Sequence, residues 1–321
     1  MMLRIFSASD IHGSDIVFRK FINAGNYYKA DALFLVGDIV GKALFLIIKK
    51  GGVEEIYETE FLGDRYTVKG KTELSALLSK IANRGYYYKV VSEREYETLV
   101  GNKEELKKEM EHEIVARVEG WMRLATQILK GTNKQLFIMI GNDDPPSVAN
   151  IIASYSSDNI VDINEKQFEL GSGIEGFGLP YSNITPWHLP GDLPEEVLGE
   201  KIETLARKLR DPLNSIFAIH VPPFNTVIDV APLLEDLHLK IDITGVQMTH
   251  VGSTAVRAAI EKYQPFMSLH GHIHESKGVA KIGRTLCFNA GSEYEQGILK
   301  GVIVNIELNP IKVKSYMFTS G

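Results

Sequence analysis

Five short apolar runs, each followed at once by acidic, amide or histidine residues, constrain this 321-residue chain more than any other feature. Such runs are typical of strands buried on both faces of a sheet. Helical segments lie between several of them, as at 194–209 and 253–263, so the alternation predicts an α/β layered fold. The predicted strands are Leu3–Phe6, Ala32–Val36, Leu136–Ile140, Ile216–Ile219 and Phe266–Leu269.

The polar groups after these strands have the residue types of a metal site. In open α/β sheets, side chains beyond the carboxyl ends of strands converge on one crevice, and adjacent glycines allow the sharp turns this requires. Histidine and carboxylate ligands together suit manganese, iron, zinc or nickel. The groups are Asp10-Ile11-His12, Gly37-Asp38, Gly141-Asn142-Asp143-Asp144, His220-Val221-Pro222-Pro223 and His270-Gly271-His272-Ile273-His274.

Gly37-Asp38 or the His220 group alone is more often a simple turn, but all five groups in this order are hard to obtain by chance. The ordered set resembles the calcineurin-like metallophosphoesterase superfamily, whose pattern is Asp-x-His, Gly-Asp, Gly-Asn-His-Asp/Glu, His and Gly-His-x-His. The resemblance implies a four-layer sandwich of two mixed β-sheets flanked by helices. It also implies a hydrolase acting on phosphoester bonds at a dinuclear metal centre. A turn at 289–292 resembles one near the site in bacterial and archaeal members.

The resemblance assigns seven ligands by position. It implies that Asp10, His12 and His274 hold one ion. It implies that Asn142, His220 and His272 hold the other, with Asp38 bridging the two.

The chain departs from the family pattern at residue 143, where a histidine is thought to protonate the leaving oxygen. An ionised Asp143 cannot donate that proton, and it repels a dianionic monoester more than a monoanionic diester. This favours phosphodiesters or good leaving groups. Alternatively, coupling to Asp144 raises one pKa of the pair, so that a protonated Asp143 is the acid. His188 is a further candidate acid, although an ordinary loop histidine is more common.

The sequence pattern predicts that residues 42–130 are an insertion into a core formed by residues 1–41 and 131–321. Within it, Leu62-Gly63-Asp64 indicates a hairpin, and Asn102 and Gly131 bracket a helix about 40 Å long. We expect this helix-rich α+β insertion to cap or flank the cleft, and it is the segment suited to forming a homo-oligomer. The apolar face of the helix contains Leu106, Met110, Ile114, Val118, Met122, Ala125 and Leu129.

The end of the chain changes character. Segments 279–282, 285–289, 301–308 and 311–318 have strand patterns separated by turns. They predict a closing antiparallel meander.

Composition narrows the function. The net charge of −6, from 35 basic and 41 acidic residues, argues against a non-specific nucleic-acid partner. The single cysteine, Cys287, cannot form an internal disulfide. The N-terminus lacks the apolar run of a signal peptide, and residues 43–48 are too short to span a bilayer. We expect a cytoplasmic protein with a small phosphoester substrate and no membrane partner.

Two rival functions share the fold that the resemblance implies. One is a non-catalytic protein-interaction module, and the other is a nuclease of the same superfamily. All seven ligand positions are filled, which favours an enzyme, and the acidic balance argues against the nuclease.

Overall fold

The computed structural model describes residues 2–52, 54–242 and 245–321, and its centre is two six-stranded mixed sheets. In each sheet four neighbouring strands are parallel and the remaining two are antiparallel to their neighbours. The first sheet contains, in spatial order, Ile311–Ser320, Lys300–Leu308, Met2–Ala8, Ala32–Val36, Gln135–Met139 and Ile160–Asp162. The second contains Gly278–Ile282, Thr285–Asn289, Met267–His270, Ser215–Ile219, Ile174–Leu179 and Gln167–Gly171.

Helices cover the outer face of each sheet. Successive residues of a strand face opposite sides, so Phe34 enters the core between the sheets while Leu33 and Leu35 face the helices. The fold is therefore the predicted four-layer α/β sandwich. Helices Asp15–Tyr27, Lys103–Leu129 and Pro146–Ser154 cover the first sheet, and Glu195–Ala206 and Thr254–Tyr263 cover the second.

A smaller unit follows the second strand of the chain. Its sheet has a separate apolar core that includes Ile47, Phe61 and Ile81. The hairpin turns at Leu62 and Gly63, with φ of 54° and 84°, the left-handed conformation that two-residue hairpin loops need. This hairpin was predicted. The sheet contains Asp64–Lys69, Ile56–Phe61, Leu44–Lys49 and Tyr87–Ser92, and the helices are Gly70–Asn83 and Glu93–Val100.

The long helix Lys103–Leu129 links this unit to the first sheet. It begins as predicted, because the Asn102 side chain accepts a hydrogen bond from the Glu105 amide at 3.2 Å. Ile114 near its middle, and Val118 and Met122 in its second half, are buried in the core formed with the helix-facing residues of the first sheet. The division of the chain at residues 42 and 130 stays a prediction.

The closing segment is not the predicted meander. Gly278–Ile282 and Thr285–Asn289 form a hairpin in the second sheet, whereas Lys300–Leu308 and Ile311–Ser320 form one in the first. Alternating apolar residues specify a strand with one buried face but not the sheet it joins, so the pattern could not separate the hairpins.

Short elements complete the structure. In the part of the chain that the structure describes, no helix is both long and apolar enough to cross a membrane. Paired short strands are Ser182–Asn183 with Asp192–Leu193, Val230–Pro232 with Met248–His250, Leu234–Glu235 with His238–Leu239, and Ile241–Asp242 with Gly245–Val246. Pro212–Asn214 and Tyr294–Gln296 are short 3-10 helices.

Candidate metal centre

The five polar groups meet where the parallel strands of both sheets end. Backbone hydrogen bonds join their loops, from the Asp10 amide to Gly37 O and from the Gly271 amide to His220 O, each at 2.9 Å. Gly271 is required here, because a Cβ at this residue would lie 2.4 Å from Asp10 Oδ2. The chain thus packs loops from both sheets around one point.

Asp10, His12 and His274 form one cluster, whose ligand atoms lie within 4.8 Å of one another. His12 Nε2 is 3.0 Å from His274 Nε2, which is 3.5 Å from Asp10 Oδ1. Two nitrogen ligands each about 2.1 Å from one ion are themselves about 3 Å apart, so this cluster can hold a metal ion.

Asp38, His220 and His272 form a second cluster with the same spread of ligand atoms. The His220 ring lies with Nδ1 2.8 Å from Val36 O, so Nδ1 carries the proton and donates it to that carbonyl. Nε2 lies 3.4 Å from Asp38 Oδ1 and is buried without a hydrogen-bond partner. A ring fixed through one nitrogen is the usual arrangement of a metal-binding histidine.

The side-chain amide of Asn142 is likewise fixed through one atom and leaves the other without a partner. Its Nδ2 donates to Asp192 Oδ1 at 2.8 Å, and its Oδ1 is buried without a partner. Asp192 is fixed in turn by the amides of Thr185 and Leu189, both at 2.9 Å. Buried polar atoms rarely lack partners, so the free atoms of Asn142 and His220 fit cation ligands.

Burial and neighbouring carboxylates set the charges of the centre. Burial lowers the pKa of His12 to about 3 and that of His272 to about 4, so both are neutral at pH 7. Burial also acts to lower the pKa of His220, but Asp38 overcomes it and the pKa rises to about 9. Neutral imidazole is the form that binds metals, and an ion beside His220 would take the place of its second proton.

Asp143 lies at the edge of the cluster, paired with Lys42. Its side chain is mostly buried, Oδ2 is 2.5 Å from Lys42 Nζ, and its amide donates to Asp38 Oδ1 at 3.1 Å. Burial and the Asp38 charge raise the pKa of Asp143, while Lys42 opposes the rise. Asp38 is therefore the main like charge that raises the pKa of Asp143.

Asp144 has a structural role. Its carboxylate is buried and accepts hydrogen bonds from the amides of Ile39, Val40 and Gly141, at 2.8–2.9 Å. Burial and Asp38 raise the pKa of Asp144 to about 7, although these backbone donors act to lower it. Asp144 thereby fixes the loop that carries Asp38 against the loop that carries Asn142.

His188 is not brought to the centre in the same way. Its side chain is exposed, its backbone has a φ of 48°, and its amide donates to Thr185 O. His188 takes no part in the ligand clusters found among the described residues. Sequence reasoning placed it correctly on a loop, but the loop is fixed through Asp192 and not through His188.

Several supporting residues were missed, and Ser182 is one that lies far from the ligands in sequence. Ser182 Oγ lies 3.1 Å from His272 Nε2. Lys42 follows the Asp38 loop directly, and its position after Gly-Asp is the signal that could have identified it. The noted turn at 289–292 does reach the site, because Ser292 Oγ donates to Asp10 O at 2.6 Å.

A cavity of about 480 Å³ opens beside the first cluster. It is lined by His274, Lys277, Tyr294 and Lys300, among others. The Tyr294 ring lies 4.8 Å from the His12 ring, centroid to centroid. The cavity can therefore take a small polar group next to the clusters.

Comparison with known proteins places the fold. Two solved structures match almost the whole chain: one with a TM-score of 0.58 and 16% identity, over 98% of both chains, and a Thermus thermophilus protein with a TM-score of 0.51 and 14% identity, over 100% of this chain and 99% of that one. The chain has the calcineurin-like metallophosphoesterase fold. A phosphatase from Mycoplasma pneumoniae matches more distantly, with a TM-score of 0.42 and 12% identity over 100% of this chain and 94% of that one.

Sequence comparison is less extensive. No family model matches the chain. An uncharacterized protein of Methanocaldococcus jannaschii is 30% identical over 151 residues, which are 46% of this chain and 60% of that protein. At these identities the structural likenesses show the metallophosphoesterase fold alone, so activity has to be argued from the site.

Proposed function

We propose that this protein is a metal-dependent phosphoesterase with two cations in its centre. The observation that carries this is that six acidic and histidine side chains form two adjacent clusters, Asp10, His12 and His274 in one and Asp38, His220 and His272 in the other. Asp38 Oδ2 lies 3.7 Å from His12 Nε2 in the first cluster, and Asp38 Oδ1 lies 3.4 Å from His220 Nε2 in the second. One oxygen near each cluster supports a bridging role for Asp38. The proposed ligands are Asp10, His12 and His274 for one ion, Asn142, His220 and His272 for the other, and Asp38 for both.

The chemistry follows from this arrangement. Bound cations would lower the pKa of a water molecule and offset charge on the phosphate. The protein itself holds the ligands rigidly, since the rings and the amide are fixed by Val36 O, Ser182 and Asp192. The donors suit manganese, iron, zinc or nickel, because imidazole and carboxylate accept all four.

We further propose that phosphodiesters are preferred over phosphomonoesters. Asp143 and Lys42 form a pair with no net charge beside the centre, so Lys42 does not supply an uncompensated cation for the second charge of a monoester. A monoanionic diester needs no such cation. The acidic net charge of −6 supports a small phosphoester substrate over a nucleic acid. A homo-oligomer formed through residues 42–130 remains a proposal.

Metal analysis combined with a substrate screen tests the function. We expect purified protein to contain transition metal, and metal-free protein to regain activity with manganese, iron, zinc or nickel. Turnover should be higher on bis(4-nitrophenyl) phosphate than on 4-nitrophenyl phosphate. Asp38→Asn should lose both metal and turnover, whereas Lys314→Ala, a surface change on an edge strand, should lose neither.

Each rival has its own outcome in this screen. A protein without turnover on mono-, di- or cyclic esters in any of the four metals would favour the interaction module. Digestion of DNA in manganese at a rate exceeding that of small diesters would favour the nuclease. Undiminished turnover after metal removal would contradict the metal-dependent mechanism.

A further inference from the structure

A histidine–aspartate pair lies outside the metal centre, in the segment between the His220 loop and helix Thr254–Tyr263. His250 Nδ1 lies 2.8 Å from Asp229 Oδ1. Asp229 is fully buried, whereas the His250 side chain is 40% exposed. A buried carboxylate therefore holds an accessible imidazole.

The surroundings of Asp229 fix the orientation of that ring. The carboxylate also accepts hydrogen bonds from the amides of Asn225, Thr226 and Gly252, at 2.8–3.1 Å. An ionised carboxylate only accepts, so His250 Nδ1 must be the donor. Nε2 has no hydrogen-bond partner among the described residues and remains open for another molecule.

Topology places this pair on the same edge of the second sheet as the metal ligands. Strands Ser215–Ile219 and Met267–His270 are parallel, so the connection between them leaves from the carboxyl ends and returns through the helix Thr254–Tyr263. His250 precedes that helix and therefore lies on the outgoing side.

Hydrogen bonds join the pair's neighbours to the ligand loops. Asn183 Nδ2 donates to Val251 O at 3.2 Å, and the adjacent Ser182 contacts His272. On the other side, Ser276 Oγ donates to Val230 O. His250 is thus flanked by two contacts that lead directly to the loop carrying His272 and His274.

The other histidines outside the ligand set lack this combination. His270 is buried and bonded at both ring nitrogens, and His112 is exposed on the long helix. His188 has no side-chain partner among the described residues, and His238 contacts only the Asp236 carbonyl there. Among these five, His250 alone is oriented by a carboxylate and has a free nitrogen.

We propose that His250 is the proton donor to the leaving oxygen and that Asp229 is its positioning residue. This rests on the proposed phosphoesterase function, and it supplies an acid in a chain that has Asp143 where the family pattern has histidine. As the bond from phosphorus to the leaving group breaks, that oxygen takes the proton from Nε2 of the His250 imidazolium. The attacking water oxygen forms the new bond to phosphorus, and the water's proton restores the imidazolium, whose charge Asp229 offsets.

The dependence on leaving group tests the proposal. An acid matters most when the leaving oxygen is strongly basic, and positioned acids typically contribute about 10²–10⁴-fold. With manganese, His250→Ala and His250→Gln should reduce kcat on methyl phenyl phosphate by on the order of 100-fold, and by less than about threefold on methyl 4-nitrophenyl phosphate. Asp229→Asn should likewise reduce kcat on methyl phenyl phosphate more than kcat on methyl 4-nitrophenyl phosphate. The control His238→Ala should leave both rates unchanged.

Nitrogen NMR of the metal-free protein gives a second readout. We expect the neutral His250 ring to carry its proton on Nδ1, and Asp229→Asn to remove that preference while His238 is unaffected. A neutral wild-type ring protonated on Nε2 instead would overturn the assignment.

The kinetic outcomes separate the two proposals. Equal losses on both esters, or no loss on either, would overturn the role of His250 and leave the phosphoesterase standing. A wild-type protein inactive on both esters in every metal would remove the proposed function and this inference together.

Discussion

Four of the seven proposed ligands have a left-handed backbone conformation that non-glycine residues seldom adopt. Asp10, His12, Asp38 and His272 have φ of 53°, 37°, 49° and 67°. Such residues each carry about 1–3 kcal/mol of strain and persist where the surrounding structure determines them. Here the conformation turns each side chain out of its strand and into the centre. The strain is concentrated where the proposed chemistry requires a fixed geometry.

The ligands could be found from sequence because each lies within four residues after the end of one of five strands. The residues that hold them could not, since the contact between Asn142 and Asp192 spans 50 residues and that between Ser182 and His272 spans 90. Neither Asp192 nor Ser182 belongs to a motif. Their roles depend on tertiary contacts that no local pattern records.

Removing the support of Asn142 should weaken metal binding without removing a ligand. Asp192→Ala frees the amide to rotate, and loss of such a partner typically lowers metal affinity about 10–100-fold. Asp192→Asn keeps an acceptor oxygen for Asn142 and should lose less metal affinity than Asp192→Ala. Calorimetric titration of metal-free protein with zinc measures both, with thermal melts showing that the variants are folded. Wild-type affinity in Asp192→Ala would contradict the role.

The only cysteine should be inert in the folded protein. Cys287 is fully buried in the second sheet, and burial raises its pKa to about 12, so the reactive thiolate is scarce at pH 8. We expect Ellman's reagent to label no thiol in native protein at pH 8 and one thiol per chain in guanidinium. Rapid labelling without denaturant would show that the sheet opens there.

At the scale of elements, the five uninterrupted apolar runs that precede the polar groups each predicted a strand. The buried strand Ile174–Leu179 was missed because Gly176 and Gly178 interrupt its pattern. Those glycines are needed, since a Cβ at either would lie 2.1–2.2 Å from a carbonyl oxygen of Ile216 or Ile163. Close packing thus removed the hydrophobic signal from a central strand. Leu44–Lys49 was noted for its apolar character but was considered only as a membrane span.

The long helix should contribute to the stability of the whole fold through its second half. Met122 is 1% exposed in the core shared with the first sheet, so Met122→Ala should lower the free energy of unfolding by about 2–5 kcal/mol. Met110 lies in the first half of the helix and is only partly buried. Met110→Ala should therefore lower the free energy of unfolding by clearly less than Met122→Ala does. Urea denaturation measures both, and equal losses would contradict this division of the helix.

At the scale of the whole molecule, the two sheets supply the centre jointly. Asp10, Asp38 and Asn142 follow strands of the first sheet, while His220 and His272 follow strands of the second. Apolar packing between Phe34, Met267 and their neighbours joins the sheets from within. The centre joins them again at one edge, where buried carboxylates lie close together and repel in the absence of cations.

Metal binding should therefore stabilise the entire fold. A ligand that binds only the folded state stabilises it by about 2.7 kcal/mol at 100 times its Kd. We expect manganese or zinc to raise the melting temperature of metal-free protein, and EDTA to reverse the change. His220→Ala removes a ligand from the second sheet, so its melting temperature should respond less to metal than that of the wild type, although the other cluster is intact. An equal response would mean that metal binding does not depend on His220, contrary to its assignment as a ligand.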